Sequence, residues 1–217
     1  MSTLPPPSGG DFVPPPEGTH MAVCYRVVDL GTQQTEFQGQ AKRQRKIMLS
    51  WELPDEKMDD GEPFSIHQRY TWSMHEKATL RQHLEAWRGR AFTDADFGAT
   101  GFNIKNLLGV GCLIGVVHEA KNGKTYANIR SIAKLMKWTK APPLHNTATY
   151  FWLDSFDPVI FGGFSQGLQT VIMKSPEYQE AIRKRNGAEH VSDEPPPPNG
   201  PDDYGSPGGD FDSEIPF

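Results

Sequence analysis

The chain has 217 residues, 36% of them hydrophobic, with 21 glycines and 19 prolines. That apolar content is low for a wholly packed chain and points to one folded domain flanked by arms that do not fold. The formal net charge of -5 hides a segregation: residues 188–217 carry eight acids and no Lys or Arg, the first twenty carry two acids and no base, and the body keeps 22 basic and 17 acidic residues. A basic body with an acidic tail fits a polyanion binder whose tail screens it or docks partners, and equally a solvated surface with a solubilising tail. Cys24 and Cys112 stand far apart with no CxxC spacing, which argues against a zinc site and for reduced thiols in a cytoplasmic protein. No membrane-length apolar run and no signal-peptide pattern is present.

In chain order, residues 1–19, with Pro5-Pro6-Pro7 and Pro14-Pro15-Pro16, read as an extended Pro-rich arm. A first strand is expected over 22–30, stopping at Gly31-Thr32, followed by a polar, flexible stretch over 32–44. A second is expected over 45–53, ended by Pro54. There Ile47, Leu49, Trp51 and Leu53 share one face; Lys46, Met48, Ser50 and Glu52 share the other. Residues 55–61 read as an acidic loop. A third strand is expected over 64–73, with Ile66, Gln68, Tyr70 and Trp72 on one face and His67, Arg69, Thr71 and Ser73 on the other. Ser73-Met74-His75-Glu76 has the form of a capping box, and Leu80, Leu84 and Trp87 make an apolar helical stripe that Arg88-Gly89 stops.

Residues 91–109 read as short turns and half-helices. Strands over 111–119 and 124–133 flank a tight Asn122-Gly123 turn. Three strands, one helix and two strands is the order of a five-stranded oligonucleotide/oligosaccharide-binding (OB) barrel plugged by a helix; other α+β sandwiches share it. The expected class is mainly β (α+β), with an OB domain over 20–140. A helical appendage over 141–187 would pack on it. In that appendage Asp157-Pro158 caps a short helix, and Phe164, Leu168, Val171 and Ile172 recur at helical spacing. Ser175-Pro176-Glu177 then starts a further helix, ending at the basic run before Gly187. Residues 188–217 read as a disordered acidic tail.

A nucleic-acid strand is held by phosphate neutralisation and by stacking of bases on aromatic faces. The candidates are Lys42, Arg43, Arg45 and Lys46 where the first turn enters the second strand; Arg69 on the third strand, with His67 beside it; Lys121 and Lys124 flanking the 122–123 turn; and Tyr126 and Arg130 on the polar face of the fifth strand. Tyr70 and Trp72 are second-rank stacking candidates, because parity aligns both with the core, as it does Trp51. Asp55, Glu56, Asp59 and Asp60 are the carboxylates a Mg²⁺-dependent nuclease would need, but they lie in one polar stretch with no positioned His or Lys. No phosphate loop and no nucleophile elbow occurs. No cofactor, metal or catalytic residue is expected.

The last eight residues, Asp210-Phe211-Asp212-Ser213-Glu214-Ile215-Pro216-Phe217, alternate acids with bulky apolar groups at the end of the acidic tail. This tip resembles the C-terminal tip of bacterial single-stranded DNA-binding proteins, with Ser213 where an acid is usual. The resemblance implies an OB fold that holds single-stranded DNA and a tip that docks replication and repair proteins. Residues 66–92, with Tyr-Thr-Trp-Ser and Trp-Arg-Gly-Arg-Ala-Phe, together with Leu-Leu-Gly at 107–109 and Tyr-Ala-Asn-Ile at 126–129, resemble a phage-encoded group of single-stranded DNA-binding proteins over roughly residues 20–180. The helical segment over 150–187 departs from the bacterial pattern, so the bacterial tetramer is not carried over and oligomeric state stays open. Together these readings imply sequence-tolerant binding of single-stranded DNA in replication, recombination or repair, with the host cytoplasm as location and no membrane partner. A nuclease using the 55–60 carboxylates and a protein adaptor that binds no DNA are the alternatives.

Overall fold

The structure is a computed structural model in which residues 13–37, 39–97 and 101–191 are described. Its framework is a six-stranded sheet with the path β3-β2-β1-β4-β5, and a short β6 pairs with β1 off that path. The strands are β1 (Gly18–Phe37), β2 (Gln40–Lys57), β3 (Pro63–Thr71), β4 (Gly111–Lys121), β5 (Lys124–Ala133) and β6 (Thr149–Phe151). All pairings are antiparallel except β6 on β1, which is parallel. The mainly β, antiparallel class with few helices is as expected. No ladder joins β3 to β5 among the described residues, although the two edge strands approach each other.

The first two strands are far longer than their sequence limits suggested. Gly31 does not end β1. Its φ of 67° places it at a register shift between Asp29 and Gly31. The Asp29 side chain accepts a hydrogen bond from the Gly31 amide at 2.9 Å, so the strand bulges and continues. The stretch expected to be flexible therefore forms a ladder in which Thr32 pairs with Arg45 and Phe37 with Gln40. Pro54 likewise does not end β2. It sits where the β2–β3 register breaks between Leu53 and Lys57, a place where no ladder amide is required of it. The 55–61 stretch is thus partly strand.

Two cores result. Ile47, Leu49, Trp51 and Leu53 join Val27, Ile66, Tyr70, Cys112 and Ile114 in the larger one, closed by Leu80, Leu84 and Trp87 of α1 (Thr79–Arg88). The opposite face of β2, which carries Lys46, Met48, Ser50 and Glu52, is also covered: Met48, Ser50 and Glu52 are all buried. Met48 packs with Val28, Leu30, Phe151, Leu153, Phe164, Leu168 and Ile172 in a second core. Glu52 accepts hydrogen bonds from the backbone amides of His145 and Asn146, at 2.8 and 2.9 Å, and from the Asn146 side chain. That satisfies an otherwise costly buried charge.

The segment over 141–187 is not only helical; it supplies β6 to the sheet and side chains to the second core. Its β6 takes up β1 at Arg26–Val28, beyond the Gly18–Val23 stretch that pairs with β4. Three helices follow: α3 (Pro158–Gly162), α4 (Gln166–Met173) and α5 (Pro176–Val191); the short α2 (Asp94–Phe97) lies before β4. Asp157 caps α3 as expected, accepting from the Val159 and Ile160 amides, and Ser175 caps α5 through the Tyr178 amide. Two other helix signals were misread. Ser73 and Glu76 do not cap α1, which begins at Thr79 after Ala78, while Ser73 accepts from the His75 amide in a local turn. Helix α5 continues through Gly187 to Val191.

The expected arm also differs: from residue 13 it lies on the sheet. His118 and His20 hydrogen-bond the carbonyls of Pro15 and Pro16, at 2.8 and 2.9 Å. The remaining residues of the arm, 1–12, and 192–217 of the tail lie outside the described residues, as does the tip Asp210 to Phe217. Among the described residues no helix is long and apolar enough to cross a membrane.

Candidate nucleic-acid interface

Where β1 parts from β4 and takes up β6, the larger core opens at a rim of aromatic rings. The pleat of β6 sends Tyr150 and Trp152 towards the larger core and Phe151 into the second one. Tyr150 and Trp152 stack with centroids 5.8 Å apart and planes 3° from parallel. Trp72, just past the end of β3, meets Trp152 edge-on at 5.2 Å. The three rings, with Phe102, Asn103 and Ile104, line a shallow recess of about 300 Å³. All three rings are half-buried, so each keeps a face or edge available at the surface.

Cations border this rim. The Arg45 guanidinium lies 5.4 Å from the Trp152 ring centre, and the Lys105 ammonium 5.4 Å from that of Tyr150. Arg45 is also structural. It donates to buried Asp29 at 2.6 Å and to Asp154 at 3.3 Å. The Asp29 hydrogen bond holds its ionisation well above the ordinary arginine value. Asp154 accepts from the Trp152 indole as well, so one carboxylate fixes both the cation and the ring. Burial, followed by the charges of Asp29 and Asp154, pushes the Tyr150 phenol up, leaving it a neutral donor at ordinary pH.

The sequence candidates fall into separate groups. Arg45 and Trp72 are at the rim. Tyr70 is only 3% exposed, inside the core, and its hydroxyl is hydrogen-bonded to His83 at 2.9 Å. It is therefore not available to a base, and the parity that placed it in the core holds. Trp51 is fully buried. Lys46 is on the other face of β2, donating to Thr71 at 2.7 Å and to Gln44; burial pushes its ammonium pKa down. Arg69 is exposed on the same face of the sheet. His67 nearby is pushed down by burial and by the charges of Arg69 and Arg26.

Lys42 and Arg43 are exposed along the β1–β2 hairpin. Lys121, Lys124, Tyr126 and Arg130 are exposed on the β4–β5 hairpin. Asn122 and Gly123 form its turn, both at positive φ. No hydrogen bond, ion pair or ring contact among the described residues links that hairpin to the rim.

Tyr150, Trp152 and Lys105 were missed from sequence. The signal was the aromatic triplet Tyr150-Phe151-Trp152, but a three-residue strand shows no periodicity. The 55–60 acids are dispersed: Glu56 hydrogen-bonds His20 at 3.0 Å, and Asp60 closes a turn on the Glu62 amide. Among the described residues no three His, Cys, Asp or Glu side chains are grouped to hold a metal ion. Compared with protein-family models and with curated proteins, the sequence matches none.

Proposed function

We propose that this chain is a non-catalytic, sequence-tolerant binder of single-stranded DNA, acting in replication, recombination or repair. The observation that carries this reading is the rim. Trp72, Tyr150 and Trp152 are packed ring against ring, with Arg45 and Lys105 beside them, at an open end of the sheet. Stacked rings accept any base, and the cations meet the phosphates between bases, so binding needs no sequence readout. The strand path β3-β2-β1-β4-β5, with α1 inserted between β3 and β4 and the two edges drawn together, supports an OB-type barrel. The exposed Lys42 and Arg43 on the first hairpin extend the basic surface.

The acidic tip Asp210 to Phe217 is the proposed docking element for partner proteins, on its resemblance to bacterial single-stranded DNA-binding proteins. The likeness of the body favours a phage-encoded protein working in the host cytoplasm. The test is a fluorescence titration of the full chain with a labelled oligothymidylate. Trp152→Ala and Trp72→Ala are each expected to weaken binding about 5- to 100-fold, the loss of one stacked base. Unchanged binding in both variants would remove the rim from the interface. Mg²⁺-dependent cleavage of the oligonucleotide would instead revive the nuclease reading, and partner capture without oligonucleotide binding the adaptor reading.

A further inference from the structure

Residues 120–153 contain six Lys or Arg and no Asp or Glu. Half of those cations fall in one short connection after β5: Lys134, Lys137 and Lys140, three residues apart, with Trp138 among them. The connection is neither helix nor strand. It is pinned where it leaves β5 and again at Ala141. A Cβ on Gly89 would lie 2.9 Å from the Lys134 side chain, and one on Gly111 would lie 2.7 Å from Leu135 and 2.6 Å from Ala141. Those glycines let the connection lie directly on the body. Its middle stands away, in a turn closed by the Thr139 amide on the Met136 carbonyl at 2.9 Å.

That turn presents Trp138 at 89% exposure and Met136 at 69%. The Lys137 ammonium lies 5.2 Å from the centre of the Trp138 ring. Among the described residues no carboxylate pairs with Lys134, Lys137 or Lys140. Among the described residues this indole is too exposed to contribute much packing; it offers a stacking surface with cationic groups on either side.

The connection is also continuous with the rim. Between it and α1 runs an apolar groove of about 780 Å³, lined by Trp87, Phe92, Phe102, Leu107, Leu135 and Met136. Phe102 lines both this groove and the rim recess. Lys105, which sits over Tyr150, belongs to the single turn Ile104–Leu107 that separates them. Aromatic surface and cations therefore follow one another from Trp72 and Trp152, past Lys105 and Phe102, to Lys137 and Trp138.

We infer that this connection is a second contact for the same strand, with Trp138 stacking a base and Lys134, Lys137 and Lys140 neutralising phosphates beyond the rim. The inference rests on the single-strand-binding reading above. The acidic, aromatic tip of this chain is the other occupant that the charges would suit. The exposed flat indole and its continuity with the rim favour the strand.

The experiment uses the full chain and two oligothymidylates, one of about 20 nucleotides, longer than the ~4–16 that one OB fold occupies, and one of about 5, near the short end of that range. For the longer strand, Trp138→Ala should weaken binding about 5- to 100-fold, with Trp138→Phe retaining most of it. The triple Lys134→Gln, Lys137→Gln, Lys140→Gln variant should reduce the slope of log K against log salt by about 2, at ~0.7 per phosphate. Binding of the shorter strand at the rim should be unchanged, and thermal unfolding should be unchanged because the substituted positions are exposed. If Trp152→Ala weakens binding of the longer strand while Trp138→Ala and the triple variant do not, the inference fails and the rim reading stands. If the wild-type chain binds neither oligonucleotide, both fail. If the variants bind the longer strand normally but lose a synthetic Asp210-to-Phe217 peptide that the wild type holds, the surface belongs to the tip and the inference is overturned.

Discussion

Arg45 is largely committed before any ligand arrives. Its guanidinium is hydrogen-bonded to a buried Asp29 and a more exposed Asp154, and it covers one side of Trp152. Its first contribution is to orient the rim; in the proposed interface, phosphate neutralisation would fall more heavily on Lys105 and the hairpin cations. Tyr70 and Trp72 show how far side-chain parity can be trusted. Both share the core-facing parity of β3, but Tyr70 lies within the ladder and Trp72 beyond its last paired residue, Thr71. The alternation decides burial only while the strand lasts, so Trp72 reaches the surface. His83, the partner of Tyr70, supplies a pH test. Burial pushes its imidazole pKa below the ordinary value, so below about pH 6.5 the unfolded chain binds more protons than the folded one. Its contribution is complete above that pH and is lost as pH falls towards the lowered pKa. Urea midpoints measured between about pH 7 and about pH 5 should therefore fall on acidification, and fall less in His83→Gln. An equal fall in both would assign the dependence to other groups.

At the scale of elements, the bulge at Gly31 is where the sheet receives its C-terminal helices. Glu177, in the first turn of α5, accepts from the Thr32 amide at 2.8 Å and from its hydroxyl. Burial opposes its ionisation, but these hydrogen bonds outweigh that and hold the carboxyl below its usual range. A Cβ on Gly31 would come within 2.4 Å of the Ser175 side chain that caps α5, and its φ of 67° already disfavours other residues. Gly31→Ala should cost more than about 1 kcal/mol in urea unfolding and release α5 first, visible as faster amide exchange over 176–186. A cost below that, with α5 still protected, would show that the bulge can relax.

The long β1–β2 hairpin was hidden for related reasons. Gly31 and Pro54 read as stops in the sequence, but each sits at a register break that a strand can pass through. The second face of β2 gave no sign of burial, because Ser50 and Glu52 are polar. Burying them requires the His145-Asn146 loop and the second core, and strand periodicity carries no record of either. The helices α3 to α5 were legible because their caps and apolar spacings are local signals.

Over the whole molecule, charge is divided between a basic body and an acidic tail. An acidic segment tethered to a basic body would oppose a polyanion more strongly at low salt, where screening is weakest. Removing residues 192–217 should therefore leave oligonucleotide affinity equal or higher at low salt and abolish capture of partner proteins. Clearly weaker oligonucleotide binding after truncation would argue against that division of roles.

Single-strand binding is tested most directly by a salt titration of the full chain against the same sequence as single-stranded DNA and as duplex. Strand binding at the rim predicts tight single-strand binding at low salt, a log–log decline with salt, a clear preference over duplex, and a marked loss in the Trp72→Ala, Trp152→Ala double variant. Binding that is absent at low salt, or that favours duplex, would contradict it.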